Sequence, residues 1–157
     1  MRPRAIDEFL RNARVPFTVL RHPAAFSAQY QAAFAHVPGR SWAKTVVCCA
    51  DDELVLVVVP AHLMVNLECL RELTAAVTLR VAAEAEASDL FPGCEFGAIS
   101  PFATLRALRV FVDQSFVGDP EMVFSAGTHT DAIRMHYYDF AELTHPVVGR
   151  LGTFTRV

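Results

Sequence analysis

Two nearly continuous apolar runs dominate the chain: residues 43–50, AKTVVCCA, and residues 54–59, LVLVVV, separated by Asp51-Asp52-Glu53. β-Rich runs of this length, divided by turn residues, predict a hairpin, with Pro60 ending its second strand. Around it the pattern shifts to helical period. Ile6, Phe9 and Leu10 predict a short helix over 4–13, and Val15 to Leu20 a strand that His22-Pro23 breaks. Ser27 stands where a cap is needed for a helix reaching about His36, with Ala28, Ala32, Ala33 and Phe34 facing inward. VPGR at 37–40 reads as a turn. Leu67, Leu70 and Leu73 predict a helix over 66–73, residues 77–80 a short strand, and the Ala- and Glu-rich stretch 82–90 a helix stopped by Pro92-Gly93. Further strands fall at 108–112 and 122–125, with another candidate at 133–137. Asp139 and Glu142 resemble a capping pair opening a helix to about Thr144, before Pro146. Irregular alternation with short connections predicts a single mixed α/β (α+β) domain over 1–157, built on a curved sheet.

Composition supports one core. The 157 residues are 53% apolar and 20% charged, which excludes disorder and leaves ample material to bury. No apolar run approaches the ~18 residues of a membrane span, and the opening Met1-Arg2-Pro3-Arg4 lacks the apolar centre of a signal peptide. Cys48, Cys49, Cys69 and Cys94 match no zinc spacing, and the histidines form no ligand grouping. The expectations are reduced thiols in a cytoplasmic protein, no metal, no cofactor and no membrane partner.

Charge changes the picture. The net charge of −3 excludes a generally basic coat. Yet residues 1–50 carry seven cations against Asp7 and Glu8, residues 51–121 four cations against twelve acids, and residues 122–157 three of each. A polyanion is expected on the side built by the first fifty residues, with Arg2, Arg4, Arg11, Arg14, Arg21 and Arg40 as candidate contacts. Thirteen of the fourteen cations are arginine; the exception is Lys44. A compact, movable ammonium does what a planar guanidinium cannot, so Lys44 is either a surface lysine at a strand start or a functional cation.

Two loops invite chemistry. Gly97-Ala98-Ile99-Ser100-Pro101-Phe102 joins a glycine, which lets a backbone amide approach a ligand closely, to a rigid Ser-Pro step. Ser125-Ala126-Gly127-Thr128-His129-Thr130 ends a strand in small residues and then offers hydroxyls and an imidazole. Ordinary turns with apolar plugs would use the same residues. No G-x-S-x-G nucleophile motif is present, so any hydrolysis here would have to rely on positioning and backbone hydrogen bonds.

Taken in order, Lys44 in AKTVV, LVVVPA at 56–61, FGAISPF at 96–102 and FSAGTHTDAIRM at 124–135 resemble the YbaK/prolyl-tRNA-synthetase-associated domain family, free-standing members included. The resemblance spans about residues 5–150. It implies a curved, barrel-like mixed β-sheet flanked by helices, and an aminoacyl-tRNA deacylase that removes a wrong amino acid, for example alanine or cysteine from tRNA specific for proline, without a metal. The family's lysine falls on Lys44, its pocket glycine on Gly97, and its Ser-x-Gly on Ser125 and Gly127. Ala103 departs from the usual Pro-x-Gly, and the histidine that follows the last loop in the synthetase-borne domain has two counterparts here, His129 and His136.

The chemistry expected from this combination is modest. Lys44 supplies a cation near the ester or the 3′ terminal adenosine, and amides around Gly97 and Gly127 donate to the oxyanion. Phe26, Ile99 and Phe102 bound a small amino-acid pocket, where discrimination is by size, with His22, Ser125, Thr128 and His129 as further binding candidates. The partners expected are a mischarged aminoacyl-tRNA and an aminoacyl-tRNA synthetase, not DNA. Two other classes use the same fold: a non-catalytic module binding a small molecule or tRNA end, and an interaction domain docking on a synthetase.

Overall fold

The computed structural model describes residues 4–95, 97–102 and 108–154, and the side chains from Ile6 onward. Arg2, Phe96, Ala103 and the side chain of Arg4 lie outside the described residues.

The predicted hairpin is the centre of the molecule. β2 (Trp42–Ala50) and β3 (Glu53–Pro60) pair antiparallel from Ala43↔Pro60 to Ala50↔Glu53. Asp51 takes the left-handed conformation (φ +53°) that a tight turn needs and that aspartate tolerates. Apart from Lys44, Thr45 and Glu53 the strands are apolar, because both faces are covered. Leu56 and Val58 pack into one core with Ile6 and Leu10 of α1 (Arg4–Asn12) and Tyr137 and Phe140 of α5 (Tyr137–Thr144). Val55, Val57 and Val59 pack on the other face against Leu70 of α3 (Leu67–Thr74), Cys48 and Leu151. A third cluster joins Trp42 to Ala32 of α2 (Ala28–Phe34), Val123 and Ala132.

The sheet is mixed. On the β3 side, β6 (Val110–Asp113) and β9 (Val147–Gly149) add in parallel. On the β2 side come β7 (Glu121–Ser125), β8 (Asp131–His136) and β1 (Phe17–Arg21), giving the order β1-β8-β7-β2-β3-β6-β9. β4 (Met64–Val65) and β10 (Gly152–Thr153) form a separate pair.

The feature that makes the site is a fork. β7 pairs in parallel with β2 only at Trp42 and Ala43, whereas β5 (Leu79–Val81) pairs with the same edge at Cys48–Ala50. Ala82 N–H extends the β5 side by donating to Val47 O at 2.9 Å. Between the two strands, around Lys44–Val46, this edge of β2 has no strand neighbour among the described residues. Peptide groups alternate between edges along a strand, so the N–H and C=O of Thr45 face the gap.

Several helices differ from expectation. α2 is capped by Ser27, whose Oγ accepts from Tyr30 N–H at 3.3 Å, but it ends at Phe34. Its buried residues are Gln31 and Ala32, while Ala33 and Phe34 are exposed. α4 covers only Glu84–Ser88, because Ala82 is committed to the sheet. His136 is the N-cap residue of α5, so Asp139 lies in its first turn instead of capping it.

Candidate functional site

The fork opens into a cavity of about 650 Å³. One wall is β2 from Trp42 to Val47. A second is the start of α2, with Phe26, Ser27, Ala28 and Gln31. A third is β5 and α4, and the loop from Phe91 to Ile99 closes the space together with Ser125.

Lys44 is on this wall. Its Nζ donates to Leu63 O at 2.6 Å, which anchors the long side chain while placing only one of three N–H donors. Burial lowers its pKa from the ordinary lysine value, because the ammonium has given up part of its hydration.

Gly97 lines the same cavity from the loop. Its φ of +83° is open to glycine and rarely to other residues, and a Cβ there would lie 2.5 Å from Phe26 O. Gln31 holds this arrangement together. The side chain is fully buried, and Nε2 donates to Ala25 O at 2.9 Å and to Gly97 O at 3.2 Å. With both acceptors being carbonyls, the amide orientation is set, and the buried Oε1 is left without a partner. Thr45 Oγ1, also buried and without a partner, belongs to the same cavity wall. Unpaired polar atoms are costly in a core, and two of them meet at this cavity.

The expected site residues divide. Lys44, Gly97, Phe26, Ile99 and Ser125 line the cavity. His129 stands beside it: its N–H donates to Glu95 Oε1 at 2.9 Å, its ring meets Phe26 edge-on at 4.5 Å, and its Nε2 would lie 3.9 Å from a Cβ on Gly97. His136 is at the far end of β8, with Nδ1 2.6 Å from Pro120 O, so His129 is the histidine next to the cavity.

Four candidates are off the wall. Phe102 packs in the core against Phe9, Phe124 and Phe140. His22 is buried beside Trp42, and its Nδ1 donates to Pro23 O at 2.9 Å. Thr128 Oγ1 donates to the buried Asp131 carboxylate at 2.6 Å and accepts from Asp131 N–H at 3.1 Å. Gly127 is left-handed (φ +96°) and its carbonyl accepts Glu95 N–H at 2.7 Å, so it shapes the turn.

Residues that sequence reasoning missed are Gln31, Thr45 and the carboxylates Glu84 and Glu95 at the cavity. The signal available for Gln31 was a glutamine on the apolar side of a short helix. Cys94 also lines the space, and burial raises its thiol pKa, which keeps the sulfur protonated and a poor nucleophile. Burial pushes Cys48 up to about 12. All four cysteines are unpaired. Among the described residues no three His, Cys, Asp or Glu side chains cluster as metal ligands, and no helix is long and apolar enough to cross a membrane.

The sequence profile described as "Aminoacyl-tRNA editing domain" matches residues 22–143. The chain belongs to the aminoacyl-tRNA editing domain family. It is 30% identical over 121 residues to the proline–tRNA ligase of Leuconostoc citreum (strain KM20); the match takes in 74% of this chain and only 20% of the ligase. Among solved structures, a hypothetical protein superposes with a TM-score of 0.86 at 18% identity, covering 95% of this chain and 99% of its own. A protein described as a candidate trans-editing enzyme for prolyl tRNA synthetase superposes at 0.84 with 21% identity over 96% of both chains. These structural likenesses establish the mixed α/β editing-domain fold. The matched region includes every wall of the cavity from Phe26 to Ser125.

Proposed function

We propose that this editing domain is a deacylase acting in trans, hydrolysing the ester that joins a wrong amino acid to tRNA, with alanine or cysteine on tRNA specific for proline as first candidates. The observation that carries the reading is the sole lysine: Lys44 lines the same cavity as Gly97, and its Nζ is anchored by Leu63 O. A volume of about 650 Å³ suits a small aminoacyl group together with the terminal ribose and adenine.

Water adds to the acyl carbon, and the bond to the 3′ ribose oxygen breaks. The products are the free amino acid and an intact tRNA end. Charge builds on the carbonyl oxygen during addition. Lys44 Nζ–H and the Gly97 N–H stabilise it; one such donor is worth about 3 kcal/mol. No side chain at Gly97 can be accommodated without moving Phe26, so the backbone itself forms that side of the pocket. The neighbouring ribose hydroxyl places the water, an arrangement that asks for no protein base. Ile99 and Phe26 limit the room beside the acyl group, while Glu84 and Glu95 give the cavity an anionic side suited to the α-ammonium. No metal takes part in the proposed steps.

Deacylation of a panel of mischarged tRNAs by the pure protein tests the reading. Rapid release of one or a few small amino acids, unaffected by EDTA, is expected. No release from any member would overturn it, and loss with EDTA restored by zinc would move the chemistry to a metal-bound water.

A further inference from the structure

The outer face of α2 carries aromatic rings that the core does not use. Phe26, Tyr30 and Phe34 recur every four residues, and they are 73%, 65% and 43% exposed. Tyr30 and Phe34 lie one helical turn apart with ring centroids at 6.3 Å. Phe26 is also a wall of the cavity, so the row begins where the ester would sit and leads away from it. Large exposed rings on a small helix have a hydration cost that the adjacent core positions, Gln31 and Ala32, do not share.

The charge of the flanking sequence selects the occupant. Residues 9–50 contain no Asp or Glu and carry Arg11, Arg14, Arg21, Arg40 and Lys44. Arg14 and Arg40 are exposed, as is Arg21 at the end of β1. Exposed rings on a stretch of sequence that carries arginines and no acid match a single-stranded nucleic acid, whose bases stack on aromatic faces while its phosphates meet arginines. Four helical residues rise about 6 Å, so successive rings are offered to successive unpaired bases.

We propose that Tyr30 and Phe34 form a stacking platform for the unpaired 3′ nucleotides of the tRNA, continuing from Phe26 at the cavity mouth. The proposal rests on the deacylase reading above and adds the surface that holds the substrate's nucleic-acid part.

The test compares two substrates: a mischarged tRNA and the same amino acid esterified to adenosine alone. Stacking is worth about 5- to 150-fold per base. Tyr30→Ala and Phe34→Ala should each lower kcat/KM on tRNA roughly tenfold. Turnover of the adenosine ester and thermal stability should be unchanged, and Tyr30→Phe and Phe34→Tyr should retain activity. Equal losses on both substrates, or none on tRNA, would overturn the platform. Fluorescence anisotropy with a labelled single-stranded RNA separates the two readings. Binding that falls in the Ala variants while no tRNA is deacylated by the native protein supports the platform and removes the deacylase. Ala variants that keep RNA binding and turnover but lose retention of a synthetase make this face a protein interface, and the proposal falls.

Discussion

Gly97 and Gly127 both hold left-handed backbone, at φ +83° and +96°, and both sit in loops. Their surroundings differ. The turn after Gly127 is densely bonded: Thr128 Oγ1 bridges the Asp131 carboxylate and N–H, Ser125 Oγ donates to Thr128 O at 3.2 Å, Gly127 O accepts Glu95 N–H at 2.7 Å, and Arg21 adds an ion pair to Asp131 at 3.2 Å. The Gly97 loop is braced by Gln31, whose Oε1, like Thr45 Oγ1 on the same cavity wall, has no partner among the described residues. A densely bonded turn is scaffold; a loop braced by a side chain with a polar atom to spare at a cavity is positioned for a ligand.

The largest effect expected from this contrast is at the cavity. Lys44→Ala should lower deacylation about 100-fold or more, with little change in thermal unfolding, because the ammonium is partly desolvated in the native state. Lys44→Arg should fail to restore activity. The pH dependence has a definite sign. With the folded-state pKa below the unfolded value, the native state binds fewer protons in the window between them. The penalty for a charged Lys44 is complete below the folded pKa and fades as pH rises toward 10.5. Enzymatic turnover, corrected for spontaneous hydrolysis, should therefore decline before the ordinary lysine range is reached, while the protein gains stability from this residue over the same interval. Native-like turnover in Lys44→Ala would remove the lysine from the chemistry.

Next come the glycines themselves. Gly97→Ala forces a left-handed alanine and a 2.5 Å approach to Phe26 O. Both melting temperature and kcat should fall, at a cost of roughly 1–3 kcal/mol in stability. The close contact with the Phe26 backbone makes the two losses comparable. Gly127→Ala carries similar strain, but its effect should appear in thermal unfolding, with kcat per folded molecule kept. Equal kinetic damage at both positions would erase the distinction between the loops.

The sequence carries the hairpin, the cap at Ser27 and the positions of the longer strands, because these depend on local pattern: β-branched runs, turn residues and helical period. It carries Lys44 and Gly97 through the rarity of lysine and the run of loop residues. The fork does not follow from local pattern. Whether β7 and β5 meet or diverge along β2 is decided by register between segments separated by many residues. Gln31 was illegible for the same reason: its acceptors, Ala25 O and Gly97 O, are joined only in the folded chain. Phe102 and Thr128 read as ligand contacts because their types are common to both uses, and their actual partners, Phe140 and Asp131, are tertiary.

On the scaffold side, Thr128→Val removes one hydroxyl that serves Asp131 Oδ2, Asp131 N–H and, at 3.3 Å, Thr130 N–H. Stranding these buried groups should cost about 1–3 kcal/mol. Thermal unfolding should report the loss, while kcat measured well below the transition stays near native. A large fall in kcat without destabilisation would place Thr128 in the site after all.

The finest discrimination is at Gln31, the link that braces the Gly97 loop. Gln31→Glu keeps size and shape but turns a double donor toward Ala25 O and Gly97 O into a carboxylate that faces two acceptors. At neutral pH the loop should be released and kcat should drop about tenfold, a change of about 1.4 kcal/mol in the barrier. Burial and two carbonyl neighbours disfavour the charged form and raise the carboxyl pKa above its usual ~4.3. Protonation on mild acidification returns one donor, which goes to one of the two carbonyls. The ratio of Gln31→Glu to native activity should therefore climb as pH falls, whereas Gln31→Met, with no donor at any pH, should hold a constant deficit. If both ratios stay flat across the same range, Gln31 fills space and the Gly97 loop stands without it.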